Sequence, residues 1–255
     1  MVRGLYTAGT GMLVQTKRMD IISNDLANSN TTGYKKDVAV VESFDEVLMK
    51  RVGGSQYPPF DYKDLGTVTN GVRIEGVYTD FRAGNLVYTG ISNNLAINGS
   101  GFFVVETPNG ERLTRDGSFT ITPDGALVTQ EGYPVMGDNG PINVGRTFFN
   151  EGLDMKVLPT REILIGTNVI DTINVVNVED PQLLEKEADN LYINNQDFLA
   201  SNATIEQGFL ESSNVNPVTA MVDMITVSRA YEANQKMIQT HDSLIGKAVN
   251  EVGKA

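Results

Sequence analysis

The residue types that carry most enzyme and metal chemistry are scarce in this chain. Cysteine and tryptophan are absent, and His241 is the only histidine. Disulfides, thiol nucleophiles, cysteine-based metal sites and iron–sulfur clusters are therefore excluded, and a single histidine cannot build a histidine-rich metal site. Because His241 lies in a segment with helical apolar periodicity, a structural or solvent-exposed role is the simpler interpretation.

Carboxylates offer the remaining catalytic chemistry. Asp61 and Asp64, or Glu185, Glu187 and Asp189, are spaced closely enough to form a carboxylate pair or a calcium site. Both groups lie in polar segments, where solvated loop acids are the commoner interpretation. We therefore predict no catalytic residue, no metal ligand and no enzyme activity, and we keep a soluble carboxylate-dependent hydrolase as an alternative.

Two short motifs share features with nucleotide-binding loops, but neither is complete. Gly99-Ser100-Gly101 precedes Phe102–Val105, a run typical of a strand, whereas a phosphate would be held at the start of a helix. Gly246-Lys247 lacks both the upstream glycine and the following Ser or Thr of a phosphate-binding loop. No cofactor is expected.

Charge separates the two ends of the chain from its middle. Residues 1–50 hold six basic and six acidic residues and residues 212–255 hold four of each, so the net charge of −12 comes entirely from the middle. Neutral ends can pack against copies of themselves without accumulating repulsion, and an acidic middle suits a solvated surface. Because no basic stripe is present, nucleic acid is not an expected partner.

No segment has the pattern of a secretory signal or a membrane span. Gly4, Gly9 and Gly11 interrupt the residues after Arg3, where the apolar core of a signal peptide would lie. No run approaches the roughly 18 apolar residues of a transmembrane helix. We therefore expect no cleaved signal peptide and no direct membrane insertion.

Both ends of the chain carry a seven-residue apolar repeat. The repeat comprises Leu5, Met12, Met19 and Leu26 in the first segment, with Ile22 at an offset position of the same stripe, and Met224, Tyr231, Ile238, Ile245 and Val252 in the second. A period of 3.5 residues places such side chains along one seam of a helix, and the seam must face another helix. Either the partner helices belong to other copies and the ends are polymerisation elements, or the two helices pack on their own domain.

The boundaries of these helices follow from cap and turn residues. Asn28–Gly33 is rich in Asn, Ser, Thr and Gly, which predicts a turn directly after a helix ending near Ala27. Asn216 is a favoured N-cap and Pro217 fits the first helical position, so a second helix should begin there and run to about Val252.

Between the helices the pattern predicts antiparallel strands. Asn109-Gly110, Asp116-Gly117 and Asp124-Gly125 are hairpin-type turn signals beside short apolar runs. The predicted fold class is α+β, in which N- and C-terminal helices form a coiled-coil-like layer and the centre is an antiparallel all-β domain. The predicted segments are an axial helix and turn at 1–35, a linker or extended segment at 36–67, the β domain at 68–211 and an axial helix at 212–255.

Three sets of motifs resemble those of the bacterial flagellar rod and hook proteins. The first is Asp20–Lys35, which has a helix, an Asn-rich turn and then Thr-Thr-Gly-Tyr-Lys. The second is Leu210–Pro217, followed by Met221–Ile225 and Arg229–Glu232. The third, in the centre, comprises Asn94–Phe103, Leu113–Phe119 and Gly132–Val135. The motifs occur in the family's order over nearly the whole chain.

The resemblance implies a structural subunit of the flagellar basal-body rod, whose terminal helices polymerise into a torque-transmitting tube around the export channel. It implies copies of the chain, other axial proteins and the flagellar type III export apparatus as partners, and location in the basal body after export without signal cleavage. The residues that it places in the turn or in the inner helical packing are Asn24, Leu26, Asn28, Thr31, Gly33, Lys35, Val215, Met221, Ile225 and Tyr231. The length favours a rod protein over a hook protein and the terminal motifs favour the distal type, with a proximal rod, hook or hook-junction role as the alternative.

Overall fold

The computed structural model describes residues 2–53, 61–145, 155–188 and 190–252. The chain forms two compact units, each assembled from segments that are far apart in the sequence. The first, the helix unit, comprises Met1–Leu26, Asp37–Tyr78 and Asn216–Ala255, and the second, the β unit, comprises Ala27–Lys36 and Thr79–Val215. The predicted end segments 1–35 and 212–255 therefore each run from one unit into the other.

Two long helices dominate the helix unit. Helix α1 spans Val2–Ala27 and helix α2 spans Pro217–Lys247, followed by one wider helical turn at Ala248–Val252. The predicted start of α2 is confirmed: the Asn216 side chain accepts hydrogen bonds from the N–H groups of Val218 and Thr219 at 3.0 and 3.2 Å, and Pro217 occupies the first turn. Among the described helices, none is long and apolar enough to cross a membrane.

The two helices face each other inside the helix unit. A Cβ atom added to Gly4 would lie 2.5 Å from Nε2 of His241, and one added to Gly11 would lie 3.0 Å from Nδ2 of Asn234. Seven residues forward on α1 thus correspond to seven residues backward on α2, which is an antiparallel arrangement. The two helices are therefore neighbours; that their predicted seams form a coiled-coil-like layer stays a prediction, because Gly4, Gly11, Asn234 and His241 are not seam residues.

Residues 36–67 are extended as predicted, but they form paired strands. Strands β1 (Asp37–Ser43) and β4 (Val72–Thr79) pair with each other, and β2 (Val47–Gly53) pairs antiparallel with β3 (Asp61–Val68). The Gly- and Pro-containing linker predicted here includes residues 54–60, which lie outside the described residues. The described strands on the two sides of that stretch, β2 and β3, pair with each other along seven registered positions.

The β unit is antiparallel, as predicted, and its largest sheet has six strands in the order β17-β18-β8-β7-β16-β19. These strands are β7 (Phe102–Thr107), β8 (Gly110–Thr114), β16 (Val175–Asn177), β17 (Glu185–Lys186), β18 (Leu191–Ile193) and β19 (Leu199–Ala200). The remaining strands are β5 (Leu86–Tyr88), β6 (Leu95–Asn98), β9 (Thr120–Ile121), β10 (Leu127–Val128), β11 (Met136–Gly137), β12 (Gly140–Pro141), β13 (Met155–Val157), β14 (Glu162–Ile165), β15 (Asn168–Thr172), β20 (Thr204–Gln207) and β21 (Phe209–Glu211).

Both faces of β7 are buried, which explains its unbroken apolar run. Phe103 and Val105 belong to one apolar cluster, and Phe102 and Val104 belong to another. Successive strand residues point to opposite faces, so a strand covered on both sides needs apolar residues at every position. The β7–β8 hairpin forms as predicted, but its turn lies one residue earlier than Asn109-Gly110 because Gly110 already pairs with Thr107.

Candidate assembly site

A turn follows α1 and directs the chain into the β unit. Within it, the Thr31 N–H donates to the Asn28 carbonyl oxygen at 3.1 Å, and Thr31 Oγ1 lies 3.2 Å from Asn28 Oδ1. Gly33 adopts φ of +67°, and a Cβ atom there would lie 2.5 Å from the backbone nitrogen of Asp116. Only glycine fits both constraints. The predicted turn is therefore present, and it lies in the β unit directly before Tyr34 and Lys35.

Lys35 ends in a buried ion pair with a residue near the other end of the chain. Its Nζ lies 2.5 Å from Oε1 of Glu211, and both side chains are 1% exposed. The same Nζ donates to the carbonyl oxygen of Arg82 at 2.9 Å, and the Gly33 N–H donates to the Glu211 carbonyl oxygen at 2.9 Å. Side-chain and backbone bonds thus join the N-terminal motif to the C-terminal motif.

Arg115, from the central motif Leu113–Phe119, completes this cluster. Its Nη1 lies 3.2 Å from Oε2 of Glu211, its Nη2 donates to the Gly99 carbonyl oxygen at 2.8 Å, and its guanidinium lies 5.4 Å from the centre of the Phe102 ring. Glu211 Oε1 also accepts the Gly84 N–H at 2.8 Å. All three motifs of the sequence therefore meet at one carboxylate.

The cluster holds two cations and one anion away from water. Burial lowers the pKa of Lys35, and the attraction of Glu211 offsets this effect only in part. Burial likewise lowers the pKa of the Arg115 guanidinium, again against the attraction of Glu211. Because Glu211 is the carboxylate that both cations contact, it is the residue on which the cluster depends.

A second set of hydrogen bonds joins the segment around Lys35 to the segment around Asn214. Asn214 Oδ1 accepts the Lys36 N–H at 2.8 Å, and Asn214 Nδ2 donates to the Asp80 carbonyl oxygen at 2.7 Å. Lys186 Nζ donates to the Lys35 carbonyl oxygen at 2.9 Å and lies 4.1 Å from the centre of the Tyr34 ring. The residues that precede the two points where the chain leaves the β unit, after Lys36 and after Val215, are therefore bonded to each other and to the rest of that unit.

The residues predicted for assembly fall into distinct environments. Gly33, Lys35 and Val215 are buried, and Asn24, Met221 and Ile225 are exposed. The half-buried residues are Leu5, Met12, Met19, Ile22, Leu26, Asn28, Thr31, Met224, Tyr231, Ile238 and Ile245. Val252 lies in the last helical turn, and its side chain is outside the described part of the structure.

Helix α2 has two apolar faces with different surroundings. The face with Met224, Tyr231, Ile238 and Ile245 is half-buried on the side of α1, and Val227 on it is buried. On a second face, Val218, Met221, Val222 and Ile225 are exposed by 71, 52, 57 and 56%. At 100° per residue, Met221 and Ile225 lie about 60–120° around the helix from Met224 and Tyr231. The structure therefore divides residues that the motif-based prediction grouped together.

Sequence reasoning missed Glu211, Arg115 and Asn214 as elements of this site. All three stand inside the recognised motifs, but their partners lie far away in the chain, for example 176 residues away for Lys35 and Glu211. Charged residues inside otherwise apolar or turn motifs were the available signal. That signal shows neither which charges pair nor that they are buried.

The acids considered for catalysis have other surroundings or are not described. Glu187 binds Nε of Arg112 at 2.6 Å, and the exposed Asp64 lies 3.9 Å from Lys50. Asp189 and the Asp61 side chain lie outside what the structure describes. Where side chains are described, no group of three His, Asp or Glu residues is placed to hold a metal ion.

Three protein-family descriptions match successive parts of the chain. "Flagella basal body rod protein" matches residues 5–35, "Flagellar hook protein FlgE/F/G D1 domain" matches 96–179, and "Flagellar basal body rod FlgEFG protein C-terminal" matches 206–251. The first and third regions contain Lys35 and Glu211, and the second contains Arg115. Each matched region therefore contributes one member of the buried ionic cluster.

Whole proteins similar to this chain are known from several bacteria. The flagellar basal-body rod protein FlgF of Caulobacter vibrioides is 34% identical over 100% of this chain and 99% of the relative. The flagellar basal-body rod protein FlgG of Buchnera aphidicola subsp. Acyrthosiphon pisum is 35% identical over 97% of this chain and 98% of the relative. The flagellar hook-basal body complex protein FlhO of Bacillus subtilis is 29% identical over the full length of both chains.

Proposed function

The chain belongs to the flagellar basal-body rod protein family, and we propose that it is a structural subunit of the rod that polymerises through α1 and α2 into a torque-transmitting tube around the export channel. The similarity extends over the whole chain, so it covers both the helix unit and the β unit. The fold supports a structural role because both ends of the chain are long helices and the centre is a strand-rich body.

The observation that carries the proposal is the exposed apolar face of α2. Val218, Met221, Val222 and Ile225 form a contiguous stripe over two helical turns, and within the described chain nothing covers it. Monomeric proteins seldom expose contiguous apolar surface without a binding role, because its exposure to water is unfavourable. We therefore assign this stripe to contacts between subunits.

The buried cluster of Lys35, Arg115 and Glu211 supplies the rigidity that a torque-transmitting subunit needs. The chain leaves the β unit twice, after Lys36 and after Val215. Lys35 directly precedes the first of these points, and Glu211 lies four residues before Val215. Because the segments around Lys35 and Glu211 are bonded to each other and to Arg115, they resist separation under torque. This role requires no catalysis, and a hydrolase using loop acids has no support from the arrangement of Glu187 and Asp64.

The proposed partners are copies of this chain and neighbouring axial proteins of the rod and hook, reached after export by the flagellar type III apparatus. The proposed location is the basal body, in the zone between the cytoplasmic membrane and the hook. A distal position in the rod is favoured by the terminal motifs. A hook or hook-junction role is the second candidate, since one full-length relative is named as a hook-basal body complex protein.

Deleting the gene in the source bacterium and imaging purified basal bodies by negative-stain electron microscopy tests the proposal. Truncated rods without hooks are expected, and the length of the remaining stub separates a proximal from a distal position. A complete rod with a defective hook would assign the chain to the hook or its junction. Intact flagella on a strain without any paralogous gene would contradict a structural role in the axis.

A further inference from the structure

An open apolar groove lies in the helix unit, beside the first turns of α1. It has a volume of about 570 Å³ and is lined by Arg3, Tyr6, Phe44, Asp45, Val47 and Asn70. The Tyr6 and Phe44 rings lie 6.4 Å apart, so aromatic surface forms part of the wall. This volume is within the range of pockets that bury drug-sized ligands, and it is enough for several aliphatic side chains.

The two charged residues of this groove lack charged partners within the described chain. Nη1 of Arg3 donates to Sδ of Met49 at 3.2 Å, and a thioether sulfur is a weak acceptor. Asp45 makes neither an ion pair nor a hydrogen bond with any other described residue. The groove thus presents an apolar floor together with one cation and one anion.

The exposed face of α2 has the matching composition. Beyond the apolar stripe that ends at Ile225, the same face continues with Arg229 and Glu232, which lie four and seven residues further on and therefore within about 40° of Ile225 around the helix. Both are exposed, and neither forms an ion pair with another described residue. An apolar stripe followed by one cation and one anion is complementary to a groove that carries one of each.

On the premise of the proposed polymerisation, we infer that the groove of one copy receives the exposed face of α2 from a second copy. The apolar stripe fills the groove, Arg229 lies opposite Asp45, and Glu232 lies opposite Arg3. Because the two surfaces differ, the contact is head-to-tail, and a contact of this kind repeats along an open helical filament without closing. One pair of surfaces on a single chain therefore suffices to propagate the polymer.

The chain's own α2 cannot occupy this groove. Gly4 faces His241 and Gly11 faces Asn234, so Tyr6 lies beside the C-terminal half of α2. Val222 is twelve residues before Asn234, or about 18 Å further along the helix axis. The stripe that reaches the groove must consequently come from another molecule.

Disulfide trapping in assembled rods tests this contact directly, because the natural chain contains no cysteine. The test variant is Tyr6→Cys/Val222→Cys, produced in the deletion strain, oxidised in isolated basal bodies and separated on a non-reducing gel. A head-to-tail contact predicts a ladder of dimers, trimers and longer species with the double variant, and no crosslink with either single variant. A disulfide requires the two Cα atoms to lie within about 7 Å of each other. Tyr6 lies beside the C-terminal half of α2 and Val222 lies in its N-terminal part, so a disulfide between them within one chain is excluded.

The matched control is Leu13→Cys/Val222→Cys, since Leu13 is 72% exposed on the same helix two turns beyond the groove. An equal ladder from this control, or dimers from Val222→Cys alone, would overturn the inference. The inference would also be overturned if the test variant and a second pair, Val47→Cys/Val222→Cys, both assembled into rods but neither gave a ladder. In that last case the proposed structural function would still be supported, because the variants assemble into rods.

Charge reversal tests the ionic part of the contact. In the Tyr6→Cys/Val222→Cys background, Arg3→Glu is expected to abolish the ladder and motility, and adding Glu232→Arg is expected to restore both. Lys17→Glu is the control, because Lys17 is exposed on the same face of α1, about 21 Å further along. Loss of the ladder in Lys17→Glu, or failure of Glu232→Arg to restore it in Arg3→Glu, would refute the pairing of Arg3 with Glu232.

Discussion

Lys35 and Glu211 are 176 positions apart in the chain, yet Nζ of one lies 2.5 Å from Oε1 of the other in the interior of the β unit. Arg115 contacts the second oxygen of the same carboxylate at 3.2 Å. Buried ion pairs cost desolvation free energy, which only good geometry and additional hydrogen bonds recover. Here the backbone groups of Gly84, Arg82 and Gly99 provide those bonds.

Glu211→Gln should strongly destabilise the β unit. The substitution leaves two buried cations without a counter-charge, and removing one partner of a buried pair typically costs about 3–5 kcal/mol of unfolding free energy. Urea unfolding of the purified chain, followed by tyrosine fluorescence, measures the change. The control Glu111→Gln, on an exposed position of β8, should stay within about 0.5 kcal/mol of wild type. Equal effects of the two variants would show that the cluster contributes nothing.

Lys35→Met should cost less than Glu211→Gln, since Glu211 keeps Arg115 as its partner and the excess positive charge disappears. The methionine side chain also retains much of the apolar length of the lysine. The same urea experiment compares the two variants. A larger loss for Lys35→Met would mean that the bond to the Arg82 carbonyl oxygen, and not charge balance, dominates.

The stability of the wild-type chain should depend on pH through Lys35. Burial lowers the folded-state pKa of Lys35 below its ordinary value of 10.5, so between these two values the unfolded chain binds more protons. The free energy of unfolding contributed by this group therefore rises with pH across that window and is constant below it. The difference between wild type and Lys35→Met, measured by urea unfolding from neutral pH towards 10.5, should shift in favour of wild type. A difference independent of pH would contradict the lowered pKa.

Gly33→Ala should lower the stability of the β unit more than an alanine placed at another glycine that also has a positive φ. Gly33 combines φ of +67° with backbone contact to Asp116, whereas Gly132 has φ of +93° and no atom within 4 Å of the position that an added Cβ would take. Backbone strain of this kind costs about 1–3 kcal/mol, and the Asp116 contact adds to it only at Gly33. Thermal unfolding of Gly33→Ala and Gly132→Ala separates the two contributions. Matching losses would show that the backbone at Asp116 moves away freely.

Ile225→Asp and Ile238→Asp should have different effects, the first on rod assembly and the second on the stability of the free chain. Ile225 lies on the exposed face of α2, so its replacement should block rod assembly and motility while the far-ultraviolet circular dichroism and melting temperature stay near wild type. Ile238 lies on the half-buried face towards α1, so its replacement should lower the melting temperature of the free chain. Normal motility of Ile225→Asp would argue against the exposed face as a contact between subunits.

Local signals predicted most of the elements, the end of α1 near Ala27 and the start of α2 at Pro217. Asn216 and Pro217 begin α2 because cap and first-turn preferences depend on neighbouring residues alone. The turn at Gly33 follows from the same kind of local chemistry. The segment 36–67 was less predictable: its Gly- and Pro-containing stretch suggested a linker, whereas β2 and β3 are stabilised by pairing with each other, which no single segment reveals.

The sequence by itself determined the heptad repeats, the caps, the alternating strands and the motifs of the flagellar rod family, because each depends on residues close together in the chain. Only the tertiary structure decided that Glu211 is the carboxylate shared by Lys35 and Arg115, and that Met221 and Ile225 point away from the face of Met224 and Tyr231. The first depends on which charges folding brings into contact across more than a hundred residues. The second depends on which side of an apolar helix another helix already covers, since periodicity shows that a face is apolar but not what packs against it.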